Sequence, residues 1–263
     1  MAAKARVTSG LALTRFVSGW YCRHRILCYR LVAVAVMLFS TKALLVLLLA
    51  LAAPSAGAQD TPHPGFADAA GMVKGLIVDM RYFGTDNFIG ERIDGYERPR
   101  CLLTRRAVSA LAAVARDLAR RGQVLKVFDC YRPARAVEHF ARWARDVADV
   151  RRKAEFYPDV DKRDLFKEGY IAERSGHSRG STVDITLARR ADGTELDMGT
   201  RFDLFSPKSW PSDASVGGEA RSNRAMLAAA MRRRGFKAYD KEWWHFTLAN
   251  EPFPDSYFDF PVR

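Results

Sequence analysis

The chain has 263 residues, 48% of them hydrophobic and 11% aromatic, which suits one globular domain of ordinary size with an appendage. A formal charge of +12 would suit nucleic acid, but residues 1–58 contribute seven Lys/Arg and no Asp/Glu. Residues 59–263 hold 35 basic against 30 acidic residues, net +5, with no basic stripe interleaved with stacking aromatics, and this argues against nucleic-acid binding.

Residues 1–58 read as a leader. Two apolar runs, 31–39 and 43–53, flank Lys42; as one membrane helix they would centre a lysine that costs about 2.5–3.5 kcal/mol. The parse preferred here starts at Met37 and runs through an eleven-residue apolar core to "PSAGAQD", with a signal-peptidase site after Ala58. The expectation is an exported, periplasmic protein; the alternative is a leader retained as a membrane anchor. Cys22 and Cys28 leave with the leader, so Cys101 and Cys130 remain. In an oxidising compartment they are expected to pair, worth about 3–4 kcal/mol for a loop of about thirty residues, the alternative being two separate buried thiols.

Residues 59–74 form a polar lead-in, expected to be loose, and 75–263 the folded domain. "GLIVDMRYFG" (75–84) reads as a strand and the Gly-rich 85–100 as an extended loop. "TRRAVSALAAVARDLARRG" is a helix: Thr104 caps it, Val108, Leu111, Val114 and Leu118 recur at three to four, and Gly122 ends it. "QVLKVFDC" is a strand running into "YRP", and Pro133 opens a helix whose inner face uses Val137, Phe140, Ala144 and Val147. "TVDITLA" is a strand, "NRAMLAAAMRRRG" a helix ended by Gly235, and "WWHFTLA" a last strand. Mixed elements without βαβ repeats predict an α+β fold, a central antiparallel sheet with helices packed on it.

The chemistry lies in two stretches. "SGHSRGSTVDITL" (175–187) puts His177 in a small-residue turn and Asp184 inside an apolar strand, on the face opposite Val183, Ile185 and Leu187. A carboxylate there needs a partner, because burying an unpaired charge is costly. A cation is one such partner; an Asp satisfied by hydrogen bonds is the plain alternative. "KEWWHF" supplies His245 as a third ligand. Two imidazoles and one carboxylate leave a fourth position open, the composition of a catalytic zinc site, where bound water reaches a pKa of about 7. Glu242 is the candidate base, although in a regular strand it would point away from His245; it must lie before the strand or at a bulge. In "DCYRP", Arg132 follows a strand end, where a guanidinium could hold a developing oxyanion, the plain alternative being an arginine that anchors a loop carbonyl.

These residues carry a resemblance. "SGHSRGSTVDITL", "EWWHF" and "DCYRP", with "DMGTRFDLF", "NRAMLAAAMRRRGF" and "RYFGTDNFIG", are similar to the D-alanyl-D-alanine dipeptidase family, the vancomycin-resistance-type branch of the zinc D-Ala-D-Ala metallopeptidases with a hedgehog/DD-peptidase-like fold. The likeness covers about 75–252. It implies one zinc ion per chain held by His177, Asp184 and His245, Glu242 as general base and Arg132 as transition-state stabiliser. It also implies Ser175, Asp203 and Tyr82 as substrate contacts, with Asp203 and Tyr82 near the free amino group. The expected activity is hydrolysis of D-Ala-D-Ala to two D-alanines. The alternatives are a zinc D,D- or L,D-carboxypeptidase on longer peptidoglycan stem peptides, with the charged stretch 146–166 as a cap that decides between them, and a non-catalytic zinc-bearing cell-wall binding module.

Overall fold

The structure, a computed structural model, describes residues 63–263; the leader, its start and its cleavage site lie outside the described residues. In chain order the strands are β1 (Phe66–Asp68), β2 (Ile77–Val78), β3 (Leu102–Thr104), β4 (Gln123–Asp129), β5 (Thr182–Arg189), β6 (Phe236–Tyr239) and β7 (Glu242–Leu248). The helices are α1 (Arg105–Ala119), α2 (Ala134–Arg145), α3 (Lys153–Phe156) and α4 (Gly218–Arg233). Five strands form the main sheet in the order β2-β4-β5-β7-β6. All its pairings are antiparallel except β2 with β4, which is parallel. The α+β class therefore holds.

The period-3.6 stripe on α1 is buried at Val108, Leu111, Val114 and Leu118, and the Thr104 hydroxyl accepts from the Ala107 amide at 3.3 Å to cap it. β5 is covered on both faces: Val183, Ile185 and Leu187 on one, Thr182, Asp184 and Thr186 on the other, all at most 2% exposed. Buried polar side chains usually find partners, and Thr182 exchanges a hydroxyl bond with Thr247 at 2.8 Å.

Four expectations are corrected. The described part of the lead-in, residues 63–74, is not loose, because Phe66 is fully buried among Tyr131, Phe253, Phe258 and Phe260, and β1 pairs antiparallel with β3. The strand expected over 75–84 shrinks to Ile77–Val78, after which the chain turns. Val147 is 52% exposed, since α2 stops at Arg145 and the backbone leaves the helix at Asp146. The last helix starts at Gly218, ahead of the expected Asn223.

Two local features hold the site's surroundings. Cys101 and Cys130 form a disulfide, tying the start of β3 to the residue after β4. Gly180 takes φ +79° at the end of the turn that carries His177, and a Cβ there would lie 2.2 Å from the Phe66 ring. Gly180→Ala is therefore expected to cost about 2–4 kcal/mol from the left-handed backbone and the ring clash together. Urea unfolding checks this; an unchanged midpoint would show that the ring moves aside freely.

Candidate active site

Strand register brings the key side chains to one level. Asp184 on β5 lies directly opposite His245 on β7, and directly opposed residues project from the same face about 4.5–5.5 Å apart. Asp129 at the end of β4 lies opposite Asp184 on the other side. His177 comes from the 3-10 turn Gly176–Arg179 that precedes β5. That turn is capped by the Ser175 hydroxyl, which accepts from the His177 amide, and is stitched to the end of β4 by the Arg132 amide donating to the His177 carbonyl.

The three ligand candidates converge. Asp184 Oδ1 is 3.2 Å from His177 Nε2 and 3.2 Å from His245 Nδ1, and the two nitrogens are 3.3 Å apart. These are the edges of one face of a tetrahedron with zinc-like bonds of about 2.0–2.1 Å, for which the edge is about 3.3 Å. The tautomer of His177 points the same way. Its Nδ1 is 2.7 Å from the Cys130 carbonyl, which can only accept, so Nδ1 carries the hydrogen and Nε2 turns a lone pair inward. Asp184 Oδ1 is buried and makes no hydrogen bond of good geometry despite its near neighbours. Lone pairs crowded this closely need a proton or a cation among them, and three converging donors of this kind fit a zinc ion.

The electrostatics agree. Burial alone would lower the His245 pKa, but Asp184 and Glu242 outweigh it and hold the imidazole up at about 9. For Asp184, burial is outweighed by the two imidazoles, and its carboxyl stays below the usual range. The pocket thus favours positive charge at this spot.

Glu242 solves the geometric objection by a bulge. Ala238 pairs with Phe246 but Tyr239 pairs with Glu242, so three residues of β7 bulge out between those two pairs. The extra residues turn Glu242 back toward the ligands, and its Oε2 lies 3.2 Å from His245 Nδ1.

Arg132, three residues beyond the end of β4, is partly buried, with its side chain 12% exposed. Its Nε donates to Asp129 Oδ2 at 2.9 Å, its Nη2 is 3.6 Å from Asp184 Oδ2, and its guanidinium packs 5.0 Å from the ring centres of both Tyr82 and Phe140. Tyr82 donates to Asp203 Oδ2 at 2.9 Å. Burial, helped by the charge of Asp184, raises the Asp203 pKa well above the carboxylate norm. Asp203 itself sits at φ +61°, the single non-glycine residue with positive φ among the described residues. Strain of that kind, of order 1–3 kcal/mol, is characteristic of functional positions.

A cavity of about 220 Å³ joins these groups, lined by Tyr82, Arg132, Ser175, Asp184, Asp203, Glu242 and His245, with His177 behind them at 1% exposure. All eight site residues expected from the sequence therefore meet in one place. The stretch 146–166 does not line the cavity; its outer wall is built instead by residues from 169–176.

Residues 63–263 match the family model described as peptidase M15, D-Ala-D-Ala dipeptidase. The chain belongs to this family. A D-alanyl-D-alanine dipeptidase of Enterococcus faecium is 39% identical over 199 residues, covering 76% of this chain and 98% of the relative. One of Streptomyces coelicolor is 41% identical over 197 residues, covering 75% and 98%. Among solved structures, the LdcB LD-carboxypeptidase aligns with a TM-score of 0.34 and 17% identity over 73% of this chain and 72% of its own, too remote to bear on substrate or metal. Members of the M15 family are zinc-dependent, and the His177–Asp184–His245 cluster is the candidate site for the ion in this one.

Sequence reasoning missed Asp129 in this M15 peptidase. It is fully buried and accepts from Tyr96 at 2.6 Å and Arg132 at 2.9 Å, while His177 Nδ1 lies 3.4 Å away. Asp129 therefore orients both the guanidinium and a ligand imidazole. The available signal was its place in "DCYRP", an acid at a strand end three residues before the arginine.

Proposed function

We propose that this protein is a zinc-dependent dipeptidase that hydrolyses D-Ala-D-Ala to two D-alanines. The observation that carries the reading is the tetrahedral face formed by His177, Asp184 and His245 with Glu242 beside it, at the wall of a small cavity. One zinc ion per chain, held by those three side chains, would polarise the scissile carbonyl and acidify a water. Glu242 takes the proton of the attacking water and delivers it to the leaving amine. Arg132 holds the oxygen that becomes negative; it is preorganised by Asp129 and by stacking, so little reorganisation is needed.

The cavity also supports the dipeptide over a longer peptide. About 220 Å³ is below the roughly 300–1,000 Å³ of pockets for drug-sized ligands. Asp203 and Tyr82 form an acidic wall that is 5% and 2% exposed. A free ammonium would replace the missing counter-charge of Asp203, whereas an acylated amine brings none. Turnover of D-Ala-D-Ala against its N-acetyl derivative tests this. The free dipeptide is expected to be cleaved at least a hundredfold faster, the activity to vanish on chelation and to return with zinc. Equal turnover of the two would transfer the assignment to a carboxypeptidase of longer stem peptides.

An exported location is part of the proposal. The leader composition supports it, and so does a disulfide, a bond that persists in oxidising compartments. N-terminal sequencing of the protein from its native host should find Gln59 first; an intact residue-37 start would mean that the leader is retained.

A further inference from the structure

β4 and β5 carry the active site at one end and a different surface at the other. Asp129 and Asp184 lie at the catalytic end, while Val124 and Arg190 lie at the far end, on the order of 17 Å away along the strands. A second cavity of about 620 Å³ opens there, larger than the catalytic one. Its floor is Met72, Gly75, Ala112, Ala115, Ala119 and Val124, without a polar side chain. Its rim is Lys74, Arg116, Arg120 and Arg190, and no acid lines it. Arg120 pairs with Asp117 at 2.6 Å, and through Arg120 the groove adjoins a cleft lined by Asp117, Arg121, Arg233 and Arg234.

The charge is segregated. The two adjoining clefts hold seven cations and one carboxylate, a net of +6. Residues 63–263 contain 35 Lys/Arg and 29 Asp/Glu, which is also +6. The residues lining these two clefts thus equal in net charge the whole excess of the described domain, and the other charged residues sum to zero. Its apolar element is exposed as well, with Met72 at 53%.

We infer that this pole is a docking site for anionic phospholipid, the phosphate between Lys74, Arg116, Arg120 and Arg190 and the glycerol and upper acyl chain over the alanine floor. Concentrated Lys/Arg next to an anionic leaflet each add to the attraction, and an apolar groove at the same place accepts what lies under the headgroup. A nucleic acid fits less well, since no aromatic ring lines either cleft for bases to stack on. No helix among the described residues is long and apolar enough to cross a membrane, and the docking inferred here requires none. Such docking leaves the catalytic cavity, at the other end of β4 and β5, facing away from the lipid. The inference rests on this pole alone and not on the substrate assignment.

Flotation with phosphatidylcholine vesicles, with and without phosphatidylglycerol, tests it. The protein used is residues 59–263, which contain the whole family match at 63–263. Binding is expected only to the phosphatidylglycerol vesicles and is expected to weaken as salt is raised. The triple variant K74E/R116E/R190E should bind on the order of a hundredfold more weakly. Its zinc content and dipeptide turnover should match the parent. M72S, which removes an apolar contact and no charge, should weaken binding several-fold at unchanged salt dependence. Equal binding to both vesicle types, no binding, or parental binding by the triple variant would each overturn the proposal. Variant-sensitive binding to duplex DNA as tight as to the vesicles would overturn the lipid assignment in favour of a general polyanion face.

Discussion

Glu242→Gln is expected to keep the parental zinc content and to lose two to four orders of magnitude in kcat toward D-Ala-D-Ala. The amide is the same size as the carboxylate, so the β7 bulge and the 3.2 Å approach to His245 can persist. What disappears is the capacity to take a proton from water and return it to the leaving amine. Because His177, Asp184 and His245 are untouched, metal content should stay at the parental value, and it should be measured on the same sample as the rate. KM should change little, because in the proposed mechanism Glu242 acts on the reacting water, whereas Asp203 and Tyr82 are the residues assigned to the substrate's amino end. Near-parental kcat with full zinc would remove Glu242 from the mechanism. Loss of the metal would instead show that Glu242 helps to hold the ion.

The second large effect is at Arg132, where function and stability are coupled through one buried acid. Arg132→Ala is expected to lower kcat by about 10²–10³, the usual cost of losing one oxyanion donor. It should also destabilise the fold by about 3–5 kcal/mol, because Asp129 is fully buried and loses its guanidinium. Tyr96, donating to Asp129 Oδ1 at 2.6 Å, cannot replace a charge. Burial already pushes the Asp129 carboxyl up, opposed by Arg132, so the variant should hold Asp129 protonated more readily. The sign of the pH dependence follows. Without Arg132 the folded-state pKa of Asp129 lies further above its unfolded value, so the variant's stability deficit should shrink as pH falls. Denaturant midpoints at two pH values, with kcat and KM, check this. The double change R132A/D129N should recover much of the stability and little of the rate. If R132A retained full kcat, the guanidinium would have only a structural part.

Much of the site was legible because its signals are local. His177 in a small-residue turn, Asp184 inside an apolar strand and His245 with Glu242 three residues before it are short patterns whose chemistry needs no tertiary information. The same holds for helix α1, whose apolar period and Thr104 cap are both contained in nineteen consecutive residues of sequence. The elements misread were those decided by distant partners. Phe66 is ordered by three phenylalanines and a tyrosine from far along the chain, so its polar neighbours misled. β2 exists only where β4 offers a parallel edge, which no local period announces.

By itself, then, the sequence determined which chemical groups are present and which short elements carry them: two imidazoles, their acid, a base, a guanidinium and a cysteine pair. Only the tertiary structure decided that they share one cavity. Cross-strand register sets Asp129, Asp184 and His245 side by side, a bulge reverses Glu242, and the Cys130 carbonyl fixes the tautomer of His177. It alone also separated the charge, balancing it over most of the domain and gathering the excess at the pole away from the site. The physical reason is the same in each case. Composition and period are properties of neighbours along the chain, whereas coordination distances and surface fields depend on residues that only folding brings within a few ångströms.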